Sequence, residues 1–174
     1  TLFRSKRVLF ASKFDKEYGC NFLMSVDSDD LVSNQLSGFV DQHQDEKYGW
    51  YVNKGYIKTK KNRLLIKVQH NMNHLNGSTN IANANLVPAI DLETKSLYDV
   101  SFFIGHGYLK DRIFNEYKET LKPLPFHTII YLIHGNNWSG YHSILNKDLI
   151  KTLAKYVTRG KWLTRSIKKE FGIL

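Results

Sequence analysis

Six of the seven histidines, His70, His74, His106, His127, His134 and His142, fall between residues 70 and 142. Imidazole is the side chain that most readily takes and gives a proton near neutral pH. Two of these residues close apolar runs: Leu97 to Ile104 stops just before His106-Gly107, and Thr128 to Ile133 stops at His134-Gly135. Two imidazoles held at the ends of buried strands can cleave RNA without a metal. One takes the 2′-hydroxyl proton, the other returns a proton to the leaving oxygen, and a lysine steadies the phosphorane. His106 and His134 are the pair this chemistry selects. The competing reading is structural, because a His-Gly at a strand end also serves as an ordinary hydrogen-bonded turn.

The densest polar segment is Gln69-His70-Asn71-Met72-Asn73-His74-Leu75-Asn76-Gly77, followed by Asn83-Ala84-Asn85-Leu86-Val87-Pro88. A strand-end His, a Gly seven residues on and an Asn-Leu-Val-Pro after a further stretch resembles the HNH, or ββα-metal, nucleases. The resemblance covers about 20 residues. It implies that His70 activates a water against a phosphodiester and that Asn85 orients His70. It also implies a divalent metal such as Mg²⁺ to stabilise the phosphate charge, with His70 and Asp91 as the ligands on offer. The segment after Pro88 departs from the family, offering Asp91, Glu93 and Asp99 where another His or Asn is usual, and the doubled Gly is missing. A second oxygen-rich candidate for magnesium is the acidic run Asp27-Ser28-Asp29-Asp30, which helix capping explains equally well.

Positive charge is concentrated in two places. From Lys147 to Leu174 there are eight basic residues, Lys147, Lys151, Lys155, Arg159, Lys161, Arg165, Lys168 and Lys169, against two acids, in a chain of formal net charge +9. From Lys54 to Lys67 there are Lys54, Lys58, Lys60, Lys61, Arg63 and Lys67, with Trp50, Tyr51 and Tyr56 beside them. Lysines neutralise phosphates and flat rings stack on exposed bases, so the combination suits nucleic acid. Strand alternation places Tyr56, Lys58 and Lys60 on one face and Ile57, Thr59 and Lys61 on the other. The tail carries no acid, base or nucleophile set and is expected to hold a partner while any chemistry sits upstream. Solvated lysines rimming core aromatics are the alternative.

The elements that must position these residues can be read from periodicity. Arg7 to Ser12, Cys20 to Val26, Arg63 to Val68, Leu97 to Ile104 and Thr128 to Ile133 read as strands. Ser28 to Asp30 are placed to cap a short helix over Leu31 to Leu36 that ends by Gly38. Lys47 to Tyr56 reads as an Asn-Lys-Gly turn between Tyr/Val-rich flanks, and Asn71 to Asn85 as a long Asn-rich loop. Lys110 to Leu121 is expected to be a helix closed by Pro123. Leu149, Ile150, Leu153 and Val157 give the tail a helical seam. Asn146 caps a helix over Lys147 to Val157, Gly160 breaks it, and Trp162 to Phe171 forms another.

The expected fold is α+β: a mixed or antiparallel central sheet with flanking helices, the Asn-rich loop and a C-terminal basic helical pair. Residues 1–145 would form the core domain and 146–174 the helical pair. At 174 residues and 42% hydrophobic content the chain can bury a real core, and no apolar run approaches the length of a membrane span. The single cysteine, Cys20, excludes an intrachain disulfide and permits a reducing compartment without selecting one. No charged segment leads into a long apolar stretch after Thr1, so any targeting segment is expected to have been removed. The expected function is nucleic-acid binding, RNA slightly ahead of DNA, by a small, toxin-like endonuclease. A noncatalytic RNA-binding or ribonucleoprotein component, and a basic module docking on an acidic protein or anionic membrane surface, stay open beside it.

Overall fold

The computed structural model describes residues 17–59, 63–86, 108–133 and 157–173. Apolar residues alternating with polar ones build two sheets. The first contains β1 (Phe22–Met24), β3 (Gly49–Tyr51), β6 (Asn80–Asn83) and β7 (Lys122–Pro123), in the order β1-β6-β3-β7. The second contains β2 (Leu31–Val32), β4 (Lys54–Thr59), β5 (Leu64–Val68), β8 (His127–Ile133) and β9 (Gly160–Trp162), in the order β2-β8-β4-β5-β9. Both are mixed, because β3 runs parallel to β7 and β4 parallel to β8 while the other pairs are antiparallel. The α+β class is therefore as the sequence indicates, with two sheets in place of one central sheet.

Alternation gives each sheet two buried faces. Trp50 and Ile81 of the first sheet meet Ile57, Ile66, Val68, Ile129, Tyr131 and Ile133 of the second in the main core, flanked by Leu36, Phe39 and Val40 of α1 (Gln35–Asp41). The other face of the first sheet, at Ala82, is covered by Leu109 and Ile113 of α2 (Tyr108–Tyr117). The other face of the second, at Tyr56, Leu65 and Ile130, is covered by Ile167 of α3 (Arg165–Glu170) and by Phe171. The layers thus run α2, sheet, sheet, α3. Among the described residues no helix is long and apolar enough to cross a membrane.

Several boundaries differ from the sequence expectation. Leu31 and Val32 pair with Ile130 and Ile129 as a strand, and the helix begins only at Gln35, with Gly38 inside it. The residues Asn53-Lys54-Gly55 do not close a hairpin: β3 and β4 belong to different sheets, and Gly55 lies within β4. The second basic helix begins at Arg165, after a Thr164 hydroxyl cap, because Gly160–Trp162 pair with Leu64–Ile66. Helix α2 stops at Tyr117, where Lys118 takes a left-handed φ of 58°, and Leu121 packs after the helix. The expected strands Arg7 to Ser12 and Leu97 to Ile104 lie outside the described residues, as does the expected helix Lys147 to Val157 apart from its final residue.

The Asn-rich stretch departs furthest from expectation. It holds a 3-10 turn at Met72–His74, strand β6 and a second turn at Ala84–Leu86, and Asn73, Asn76, Ser78, Thr79 and Asn80 are buried. Its buried polar side chains find hydrogen-bond partners. Asn76 Nδ2 donates to both carboxylate oxygens of Asp30 at 2.9 Å, and Ser78 Oγ donates to Asp30 Oδ2 at 2.6 Å while accepting from the Asp27 amide at 2.7 Å. Where the chain crosses between sheets, the Val52 amide donates to Thr79 O, the Asn71 amide to Asn53 Oδ1 and the Met72 amide to Asn53 O. A buried polar group left without a partner would cost about 1–3 kcal/mol, so these bonds decide whether the segment can be inside at all.

Gly49 opens β3 with a φ of +112°, and a Cβ there would lie 2.0 Å from the Ile81 carbonyl oxygen. No rotamer relieves a clash with backbone, and the only escape is separation of β3 from β6. Gly49→Ala is expected to destabilise the fold by more than about 2 kcal/mol, read as a lower urea midpoint. A midpoint equal to wild type would show that the β3–β6 contact is looser than described.

Candidate functional site

The face of the second sheet under α3 is where the sequence's basic segments meet. On β4, Lys54, Tyr56 and Lys58 share that face and Ile57 points into the main core, as alternation requires. Lys67 of β5 stands opposite Tyr56, and Lys161 of β9 stands opposite Leu65. His127 opens β8 opposite Lys54 and stacks on Tyr56, ring centroids 4.7 Å apart and planes 20° apart. The charges of three lysines from three strands therefore bear on one imidazole. Among the described residues none of the three lysines is paired with a carboxylate. The ion pairs seen are Arg112–Glu116 and Lys122–Glu46, and Glu170 accepts from the Ser33 hydroxyl at 2.8 Å.

His127 registers the resulting field. Burial first, then the charges of Lys67, Lys54 and Lys161, push it down to about 4, so it is neutral at pH 7. Its Nε2 is buried without a hydrogen-bond partner. Tyr56 cannot offer its ring to a ligand, because His127 stacks on one side and Phe171 meets it edge-on at 6.0 Å; it is buried, contrary to its expected stacking role. Trp50 is likewise core, only 2% exposed, while Tyr51 is half-buried with Lys110 Nζ 5.3 Å from its ring centre. Lys54 Nζ donates to Pro125 O at 2.9 Å and Lys58 Nζ to Thr59 O at 3.2 Å. Arg63, Arg159, Lys161, Arg165 and Lys169 are exposed, and Lys168 is half-buried.

Of the expected reactive residues, His70 and Asn85 fall within the described part. His70 is exposed just beyond β5, and Asn85 is exposed in the turn after β6. Because β5 and β6 belong to different sheets, the two do not share a hairpin, and no hydrogen bond joins them among the described residues. Instead the Asn85 amide donates to Asn83 Oδ1 at 3.0 Å. His106, His134 and Asp91 lie outside the described residues, as do Lys60, Lys61, Lys151 and Lys155. Of the metal ligands implied by the nuclease resemblance the described part holds His70, and no group of three or more His, Cys, Asp or Glu is placed there to hold an ion.

The acidic run at Asp27 to Asp30 has a structural use. Asp30 is half-buried and accepts from Asn76 Nδ2 and Ser78 Oγ, a use that needs no metal. Burial pushes it up to about 6 against the pull of Ser78 and Asn76, with the charges of Asp27 and Asp29 adding to the rise. The role of His127 was not legible beyond its being one histidine among several. The signal lay in Lys54, Tyr56 and Lys67 sharing a face, but the approach of Lys161 depends on a strand pairing nearly 100 residues apart in sequence. The chain matches no protein-family model, no curated protein and no solved structure.

Asp30 and His127 oppose each other as pH changes. Native Asp30 keeps its proton above its ordinary 3.8, so its contribution to stability is full below that pH and is lost as pH rises through about 6. Native His127 resists protonation, so its contribution is full above 6.5 and is lost as pH falls through about 4. Urea unfolding at pH 4.5, 6 and 7 should therefore show Asp30→Asn losing stability on acidification faster than wild type. His127→Phe, which keeps a ring against Tyr56, should lose it more slowly. Profiles parallel to wild type for both variants would contradict these environments.

Proposed function

We propose that the chain binds nucleic acid, its phosphates meeting the basic face and edge of the five-stranded sheet at Lys54, Lys67 and Lys161, with Arg63, Arg159 and Arg165 beside them. The observation that carries this reading is the pairing of β5 with β9, which joins two basic segments far apart in sequence into one surface. Like charges on one face, with no ion pair to a carboxylate among the described residues, repel one another, and a polyanion relieves that repulsion by displacing its own counterions. The neutral His127 is consistent with such a field, and it avoids adding a further charge to it. Binding of this kind is sequence-tolerant, since lysines reach phosphates and the described face sets out no pattern for base edges.

Lys67→Gln/Lys161→Gln is the direct test, because glutamine keeps most of each stem and removes both charges. Fluorescence anisotropy with labelled RNA and DNA should show weaker binding for every sequence, and a log–log salt dependence shallower by about two. An unchanged salt slope, or a wild type with no salt-sensitive binding, would refute the reading. The same mixtures incubated with Mg²⁺ and with EDTA report on cleavage. Mg²⁺-dependent cutting lost in His70→Ala would support the nuclease chemistry implied for His70. Cutting that survives EDTA and is lost in His106→Ala or His134→Ala would support the metal-free pair.

A further inference from the structure

Trp162 is 71% exposed, whereas Trp50 is 2% exposed. It lies on β9, the edge strand of the five-stranded sheet, opposite Leu64. Alternation turns the indole to the side of the strand opposite Lys161, so one three-residue edge presents a cation on one side and a large flat ring on the other. The Leu163 amide donates to Arg63 O, which brings the exposed Arg63 alongside, and exposed Arg159 and Arg165 bracket the strand in sequence. Among the described residues no cation lies over the indole, no ring packs on it, and its N–H has no acceptor. The ring therefore stands largely in solvent, with the exposed Arg63, Arg159, Lys161 and Arg165 beside it.

Resting on the nucleic-acid reading, we propose that Trp162 is a stacking platform for an unpaired base, so that the ligand of the basic edge is a single strand. Bases within a duplex have both faces covered by their neighbours and cannot accept an indole without being unstacked. Bases of a single strand can, whatever their identity, because each has a π-face. Arg63 and the flanking arginines hold the phosphates on either side of the stacked nucleotide, and Lys161 meets the strand where it passes over the edge to the other face. A basic surface for duplex DNA or RNA needs no exposed ring at its edge, and an acidic protein partner would be recognised by the cations alone. Trp162 is thus the residue that discriminates among ligands the positive charge would treat alike.

The experiment compares wild type, Trp162→Ala, Trp162→Phe and Lys67→Gln/Lys161→Gln on single-stranded and duplex oligonucleotides of equal phosphate number, by anisotropy at fixed salt. Far-UV circular dichroism checks that each variant is folded. Trp162→Ala should weaken single-strand binding roughly tenfold and leave duplex binding unchanged, with Trp162→Phe recovering most of the loss. Equal weakening on single strand and duplex, or no weakening on either while the lysine variant still loses affinity, overturns the stacking proposal and leaves the basic-surface reading intact. Absence of salt-sensitive binding in the wild type overturns both. If Trp162→Ala leaves binding unchanged and instead dissolves a dimer seen by sedimentation, the indole contacts a second copy of the chain, and the proposal is overturned.

Discussion

A polar seam buried between the two sheets is the constraint on which the rest of the structure depends. The chain leaves β3 in one sheet and enters β4 in the other across Val52 and Asn53, so its backbone passes through a region where water cannot satisfy it. Thr79 O and Asn53 supply the partners, and Asp30, Asn76 and Ser78 tie the β1–β2 connection to the approach of β6. Only with these bonds in place can Trp50 and Ile81 face Ile57 and Ile129 across the main core. The density of asparagine in this segment follows from that need. A short amide that both donates and accepts can replace a backbone partner wherever strands from different sheets fail to pair.

Once the sheets are held face to face, the second has one remaining side to cover, and α3 covers part of it. Ile167 and Phe171 close over Tyr56, Leu65 and Ile130. The basic residues on the same face are displaced to the margin of this small core, where lysine stems pack and amines reach solvent. His127 sits at the boundary, stacked on Tyr56 and neutral under three neighbouring charges. Apolar cover and positive rim thus come from the same strands by alternation, and the proposed ligand surface is a by-product of how the sheet is capped.

Much of the local structure was legible in the sequence. The runs CNFLMSV and RLLIKV contain β1 and β5, TIIYLI makes up all of β8 but its first residue, and the faces of β4 follow from the alternation of Tyr56, Ile57 and Lys58. The failures are of another kind. Leu31 and Val32 follow capping-type residues yet pair with β8, because a neighbouring strand offers them ladder bonds that a helix start would not surpass. Trp162 reads as the start of a helix by its spacing but is drawn into the sheet by the free edge of β5. In both places nonlocal pairing overrides local propensity. Tyr56 and Trp50 look like ligand-stacking aromatics beside lysines, and burial, which has no local signature, makes them core.

Composition, charge and periodicity by themselves determined that this is an α+β chain with a real core and two concentrated basic segments. These properties are sums over residues or patterns within short windows. Tertiary structure alone decided that the segments share one surface, that Asn73, Asn76 and Asn80 are buried, and that His70 and Asn85 leave strands of different sheets. It also decided that Trp162 stands in solvent while Trp50 and Tyr56 are core. Each of these depends on which strands pair across long stretches of chain. That choice is made by the total burial and hydrogen bonding of the assembled sheets, a quantity no local stretch of sequence contains.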